Sequence, residues 1–147
     1  MEKKSGFTLI EVLIVIFIIG LLASVVLVGL GAFRQRGRDT RRIADLRSVQ
    51  NGLELYYSKN GYYPQTANWS GLETEIINAG IGIENIPNDP DKTANYEYAS
   101  DGQSYVLKST LEDKNNSVLR EDIDGMQFST VDCGPASEDD RFYCIKF

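Results

Sequence analysis

The feature that most restricts what this chain can become is an apolar run over residues 12–33, 22 positions without a single charged side chain. A helix rises about 1.5 Å per residue, so about 20 apolar residues cross the roughly 30 Å hydrocarbon layer of a bilayer. The run is long enough to span one. It is apolar on every side, so a soluble protein would have to surround it, and the polar remainder of a 147-residue chain is too small to do so. A secretory signal peptide has a shorter apolar core, about 7–15 residues, ending at a small-residue cleavage site. Here Ala23 and Ser24 are followed directly by Val25, Val26, Leu27 and Val28, which disfavours removal of the whole segment.

Extended back to Phe7, the apolar stretch meets one charge, Glu11. An acid costs about 2.5–3.5 kcal/mol near a bilayer centre and less towards the edge, and intramembrane acids are usually paired and functional. The plainer alternative is an interfacial residue that only marks the helix start. That alternative leaves unexplained the short charged leader Met1-Glu2-Lys3-Lys4-Ser5-Gly6 immediately before Phe7.

Beyond the apolar run, charge is segregated. Arg34, Arg36, Arg38, Arg41, Arg42 and Arg47 form a basic collar with Asp39 and Asp45 among them, while residues 48–147 hold seventeen acids against seven bases. With a net charge of -6 the chain is not an electrostatic match for nucleic acid. The collar has three readings: a solvated helix face, a contact for lipid headgroups, or a patch that pairs with acidic neighbours in a polymer. Histidine is absent, which removes the commonest general base and zinc ligand and argues against an enzyme.

The stretch Lys3-Lys4-Ser5-Gly6-Phe7-Thr8-Leu9-Ile10-Glu11-Val12, continued by the apolar run to Phe33, resembles the class III signal of type IV pilins and type II secretion pseudopilins. The resemblance is strongest over residues 3–33, weaker to Pro64 and architectural beyond. It implies a leader of residues 1–6, a transmembrane and assembly helix over residues 7–33, and a globular domain over residues 34–147. It also implies that a prepilin peptidase cuts between Gly6 and Phe7 and methylates the new Phe7 amine. Glu11 would then pair with the terminal amine of a neighbouring subunit in a homopolymeric filament. Such a pair in low dielectric is costly to leave half made, so it enforces register.

The implied partners are an assembly ATPase and an inner-membrane platform protein. The implied location is a single-pass subunit in the cytoplasmic membrane, its C-terminus outside, later joining an extracellular filament. Major pilin, minor pilin and pseudopilin are alternatives within the family. From another class, a membrane-anchored binding module that never polymerises would need neither Glu11 nor leader removal. One departure from the family is the missing proline in the second half of the apolar helix, where this chain has Val28, Gly29, Leu30 and Gly31. Glycine costs about 1 kcal/mol relative to alanine inside a helix, so these positions suit local bending, or else close helix packing.

Ile43, Leu46, Val49, Leu53 and Tyr56 or Tyr57 recur at spacings of three and four, an amphipathic helix stopped by Asn60-Gly61 with Pro64 beyond. One helix is therefore predicted over residues 7–58, with relaxation at Gly29, Gly31 and Gly37. Tyr56, Tyr57, Tyr62 and Tyr63 are expected to cap a small core. A short helix is predicted over residues 72–78. Strands are predicted over residues 96–99 and 104–111, joined across Ser100-Asp101-Gly102-Gln103, with further strands over residues 126–131 and 142–147. The fold class is α+β, a long N-terminal helix packed on a small antiparallel sheet.

Cys133 and Cys144 lack metal-ligand spacing, and a disulfide in an oxidising compartment is the natural reading, with two buried thiols as the alternative. Acids gather at Glu121, Asp122 and Asp124 beside Gly125, and again at Glu138, Asp139 and Asp140. Asp-x-Asp-Gly resembles part of a calcium loop, which makes Asp122 and Asp124 candidate ligands, although solvated acidic turns are the commoner outcome and no full EF-hand pattern exists. Asn-x-Ser patterns stand at Asn68-Trp69-Ser70 and Asn115-Asn116-Ser117.

Overall fold

The computed structural model describes residues 6–66, 68–91, 94–134 and 141–147, and of residues 25–29 it gives the backbone alone. Helix α1 runs over Leu9–Asn60 and is followed by α2, Trp69–Asn78. Strands β1 (Glu97–Ser100) and β2 (Tyr105–Thr110), a 3-10 turn at Ser117–Arg120, and strands β3 (Gln127–Phe128), β4 (Val131–Asp132) and β5 (Phe142–Lys146) complete the order. The chain divides into two compact units, Met1–Gln35 and Arg36–Phe147.

In the first unit, α1 begins two residues after Phe7, and helix is assigned through Gly29 and Gly31 there and on through Gly37 of the second unit. Its described side chains from Phe7 to Ser24 are all exposed. Among these described residues no face is set aside for an intramolecular core.

In the second unit, α1 buries one stripe: Asp39, Arg42, Leu46, Val49, Leu53 and Tyr56, spaced by three and four. Ile43, expected in that stripe, is only half-buried, and Arg42 takes the inward position instead. The helix ends where the sequence signal lies. Gly61 adopts φ 79, a left-handed conformation that glycine takes without strain, and its N–H reaches the Tyr57 carbonyl at 2.7 Å.

The main sheet is antiparallel in the order β1-β2-β5, with Ser100 opposite Tyr105 and Leu107 opposite both Tyr98 and Ile145. Side chains alternate between faces along a strand, so residues two apart share a face. Tyr96 and Tyr98 of the first strand region, Tyr105 and Leu107 of β2, and Tyr143 and Ile145 of β5 join the α1 stripe, Leu72 and Ile76 in one core. Ala99, Val106 and Cys144, on the opposite face, pack with Val131 and Cys133 beneath the separate β3-β4 ladder. The sheet is thus buried on both faces. The predicted strand over residues 126–131 is corrected: its residues form most of a two-strand hairpin turned at Ser129, φ 54, not an added strand of the main sheet.

The hairpin between β1 and β2 is closed by Asp101, whose Oδ1 accepts the N–H groups of Gln103 and Ser104 at 2.9 and 2.7 Å. These bonds hold its carboxylate below the usual range. Gly102 sits at φ 90, and its carbonyl accepts the Tyr63 N–H at 2.9 Å.

Candidate functional site

The residues the sequence singles out at the N-terminal end are Gly6, Phe7 and Glu11. Gly6, Phe7 and Thr8 precede the helix, and α1 starts at Leu9. Thr8 is the cap: its N–H and its hydroxyl both donate to Glu11 Oε2, at 2.9 and 2.7 Å. In return the Glu11 N–H points at Thr8 Oγ1 at 3.4 Å. This reciprocal arrangement is a capping box, which satisfies helix N–H groups that have no partner in the first turn. The pattern Thr8-Leu9-Ile10-Glu11 carries that signal in plain view, and the reading of Glu11 as a residue in need of a partner overlooks it. Within its own chain, Glu11 has one.

The apolar surface behind this cap is uncovered. Phe7 is 81% exposed and Phe17 70%, with Leu9, Ile10, Val12, Leu13 and the residues through Leu22 exposed as well. Among the described residues, no helix is long and apolar enough to cross a membrane. Residues 25–29 fall inside the sequence's uncharged run.

The arginine collar has an intramolecular role that corrects part of the earlier reading. Arg42 is 1% exposed. Its Nε and Nη2 form a two-pronged pair with Asp89 at 2.8 and 3.0 Å, and its Nη1 donates to Asp39 and Glu112, both at 2.8 Å. Arg38 also donates through Nε and Nη2 to Glu112. Asp39, fully buried, accepts the backbone N–H groups of Glu112 and Asp113 at 2.9 Å each. Arg36 lies 3.6 Å from Asp113. The guanidinium groups hold Glu112 well below its ordinary value, at about 2, chiefly through the Arg38 hydrogen bonds. Arg42 is raised by the same kind of pairing, first by Asp89. Much of the collar is therefore spent inside the domain, binding α1 to the loops at Asp89 and at Glu112–Asp113.

Tyrosine hydroxyls add a second polar layer around α1. Tyr63 and Tyr105 both donate to Glu54, at 3.2 and 3.1 Å, and Tyr96 donates to Asp45 at 2.8 Å. Burial pushes the Tyr63 hydroxyl up to about 12. Tyr57 and Tyr63 pack with ring centroids 4.6 Å apart, and Tyr56 and Tyr62 meet edge to face at 5.9 Å. Tyr56 and Tyr63 close the core and Tyr57 packs against it, whereas Tyr62 is exposed.

Cys133 and Cys144 form a disulfide, with an 11-residue separation, that ties the segment after β4 to β5. Asp122 Oδ2 accepts the Cys144 N–H at 3.1 Å, and Asp124 is exposed. Among the described residues no group of three acids, cysteines or histidines is placed to hold a metal ion. Glu138, Asp139 and Asp140 lie outside the described residues.

Residues 1–27 match the family model described as the prokaryotic N-terminal methylation motif. The chain is 32% identical over 117 residues to the type II secretion system core protein G of Vibrio cholerae, a match that covers 73% of this chain and 78% of that one. The Aeromonas hydrophila protein of the same name is 32% identical over 114 residues, with 69% and 77% covered. The type IV wide pilus major component PilA4 of Thermus thermophilus is 43% identical over 87 residues, with 59% of this chain and 60% of that one covered. No solved structure gives a significant match.

Proposed function

This chain belongs to the family of type IV pilins and type II secretion pseudopilins, and from that premise we propose that it is a structural subunit that polymerises through its N-terminal helix into an extracellular filament. Cleavage between Gly6 and Phe7 by a prepilin peptidase, with methylation of the Phe7 amine, precedes assembly. Before assembly the subunit rests in the cytoplasmic membrane with its body outside. An assembly ATPase and a platform protein add it to the growing filament.

The observation that carries this reading is the uncovered apolar surface of α1, with Phe7 81% and Phe17 70% exposed in the isolated subunit. Burying a large apolar side chain contributes about 1.5–3 kcal/mol, so a surface of this size favours lipid first and other copies of the helix second. Glu11 then selects the register. Cleavage creates an ammonium at Phe7, and a neighbour's Glu11 is neutralised at one axial offset.

The capping box sharpens the test. Glu11→Ala removes the charge and the carboxylate half of the capping box, whereas Glu11→Gln retains a side chain able to accept from Thr8 and removes only the charge. Both variants are expected to insert and to be cut, because the scissile bond lies before Phe7. Both are expected to yield far less sheared filament than the unaltered chain, with processed subunit left in the membrane. Filament yields equal to the unaltered chain in Glu11→Gln would leave the cap as the role of Glu11 and overturn the ion-pair mechanism.

The relatives named as secretion core proteins favour a second reading inside the same family, a pseudopilin serving protein export. Deletion separates the two. Loss of surface filaments supports the pilin, and loss of exported proteins with surface filaments intact supports the pseudopilin.

A further inference from the structure

The start of α2, the segment before β1 and the β3-β4 turn enclose a cavity of about 610 Å³ that nothing in the assembly reading uses. Trp69, half-buried, lines it and is backed by the buried ring of Tyr96, ring centroids 5.1 Å apart and planes at 64°. Both rings are fixed by their polar ends: the Trp69 indole N–H donates to the Pro87 carbonyl at 3.0 Å, and the Tyr96 hydroxyl donates to Asp45 at 2.8 Å. An aromatic surface held this way loses little freedom when something packs on it.

Polar groups surround that surface. Among the described residues, the side chains of Ser70, Glu73, Asn88, Asn95 and Thr130 line the cavity without a hydrogen bond or ion pair to the rest of the chain. The other two carboxylates of the lining are occupied, Asp89 by Arg42 and Glu97 by Lys108 at 2.9 Å. Among the described residues the free set therefore holds two amides, two hydroxyls and one carboxylate, able to donate and accept but carrying no cation. Among the described lining groups, a phosphate, sulfate or uronate would find no cation, and Glu73 would repel it. A cationic ligand would find a single free carboxylate. A rigid indole beside neutral donors and acceptors and one carboxylate matches a ligand with apolar C–H faces and hydroxyl edges. A volume of this size is ordinary for a small-ligand cleft.

We propose that this groove binds a neutral oligosaccharide, with a pyranose ring packed on Trp69 and its hydroxyls bonded by Asn88, Asn95 and Glu73. The Asn68-Trp69-Ser70 pattern has its place here. Asn68 caps α2, its Oδ1 accepting the Gly71 N–H at 2.6 Å, and thereby orients the turn that carries Trp69.

Trp69 is the single tryptophan of the sequence, so its emission reports on the groove alone. Full-length protein, dispersed in a detergent without a sugar headgroup, is titrated with maltohexaose, cellohexaose and chitohexaose, and with hexagalacturonate as the acidic control. The expected result is a saturable change in Trp69 emission with at least one neutral series and none with galacturonate. Asn95→Ala and Glu73→Ala are each expected to weaken binding about two- to ten-fold, the range for one hydrogen bond, with thermal unfolding unchanged. Four outcomes overturn the proposal: no response to any neutral series, a response unaltered by both substitutions, an equal response to galacturonate, or loss of acrylamide access to Trp69 on polymerisation. The last would assign the groove to a second copy of the chain. The titration uses dispersed subunits, so its failure and a failure to polymerise are separate results.

Discussion

Arg42 occupies a position that helical periodicity reserves for an apolar side chain, and it is tolerated there because each face of the guanidinium is met by a carboxylate. Removing one member of a buried pair of this kind is strongly destabilising, since the other charge is then left unsolvated. Glu112 is held well below the ordinary carboxylate range by this pairing. Its pKa falls from the ordinary 4.5 to about 2 in the folded state, first because of Arg38 and then Arg42. A depressed carboxylate contributes stability above its unfolded pKa and loses it as pH falls through the folded one. Urea midpoints measured across pH are therefore expected to drop between about pH 4.5 and pH 2, with an upper bound of about 3 kcal/mol from this residue. Glu112→Gln should flatten that slope while lowering stability at pH 7; an unchanged slope would remove Glu112 as its source. Little of this was legible in the sequence. The Asp39–Arg42 spacing is visible as a local pair, but Asp89 and Glu112 stand 47 and 70 residues further on, and six arginines in a row of polar residues read as a solvated face. Glu11 is the converse case, since its capping partner lies three residues away and the motif was there to be found.

Among elements, periodicity served long segments and failed short ones. The apolar stripe of α1, its glycine stop and the β1-β2 hairpin follow directly from spacing and turn chemistry. The ladder of β3 and β4 has two residues in each strand, too few for an alternation to register, so its role as a cover over the far face of the main sheet emerges only in three dimensions. That cover is held by the Cys133–Cys144 bond and by the Cys133 N–H, which reaches the Met126 carbonyl at 3.0 Å. Closing a loop of this length contributes roughly 3 kcal/mol in a chain-entropy treatment. Replacing both cysteines by alanine is expected to lower the unfolding free energy by about that amount, read from urea transitions of the unaltered and altered chains. A difference near zero would mean that packing of Val131 on Val106 and Ala99 holds the cover without the bond.

At the scale of the whole molecule, the two units differ in what they need from their surroundings. Among the described residues, every member of both buried cores lies beyond Arg36, and the first unit contributes none. A chain beginning at Arg36 is therefore expected to be soluble without detergent, monomeric and cooperative in urea, as judged by circular dichroism and sedimentation. A disordered or aggregated product would show that the body depends on the segment before it. The amino-acid sequence announced this division plainly, because an uncharged run and an acidic, tyrosine-rich body are different materials. The ion cluster around Arg42 carries a further consequence, for time and not for equilibrium. It joins segments 47 and 70 residues apart, so forming it demands closure of long loops. Contacts of that kind tend to mature after the folding barrier has been crossed, and interactions absent at the barrier act by slowing escape from the native state. For a subunit exported as proposed, beyond the reach of cytoplasmic chaperones, that slowness has a use: the body persists because it rarely opens.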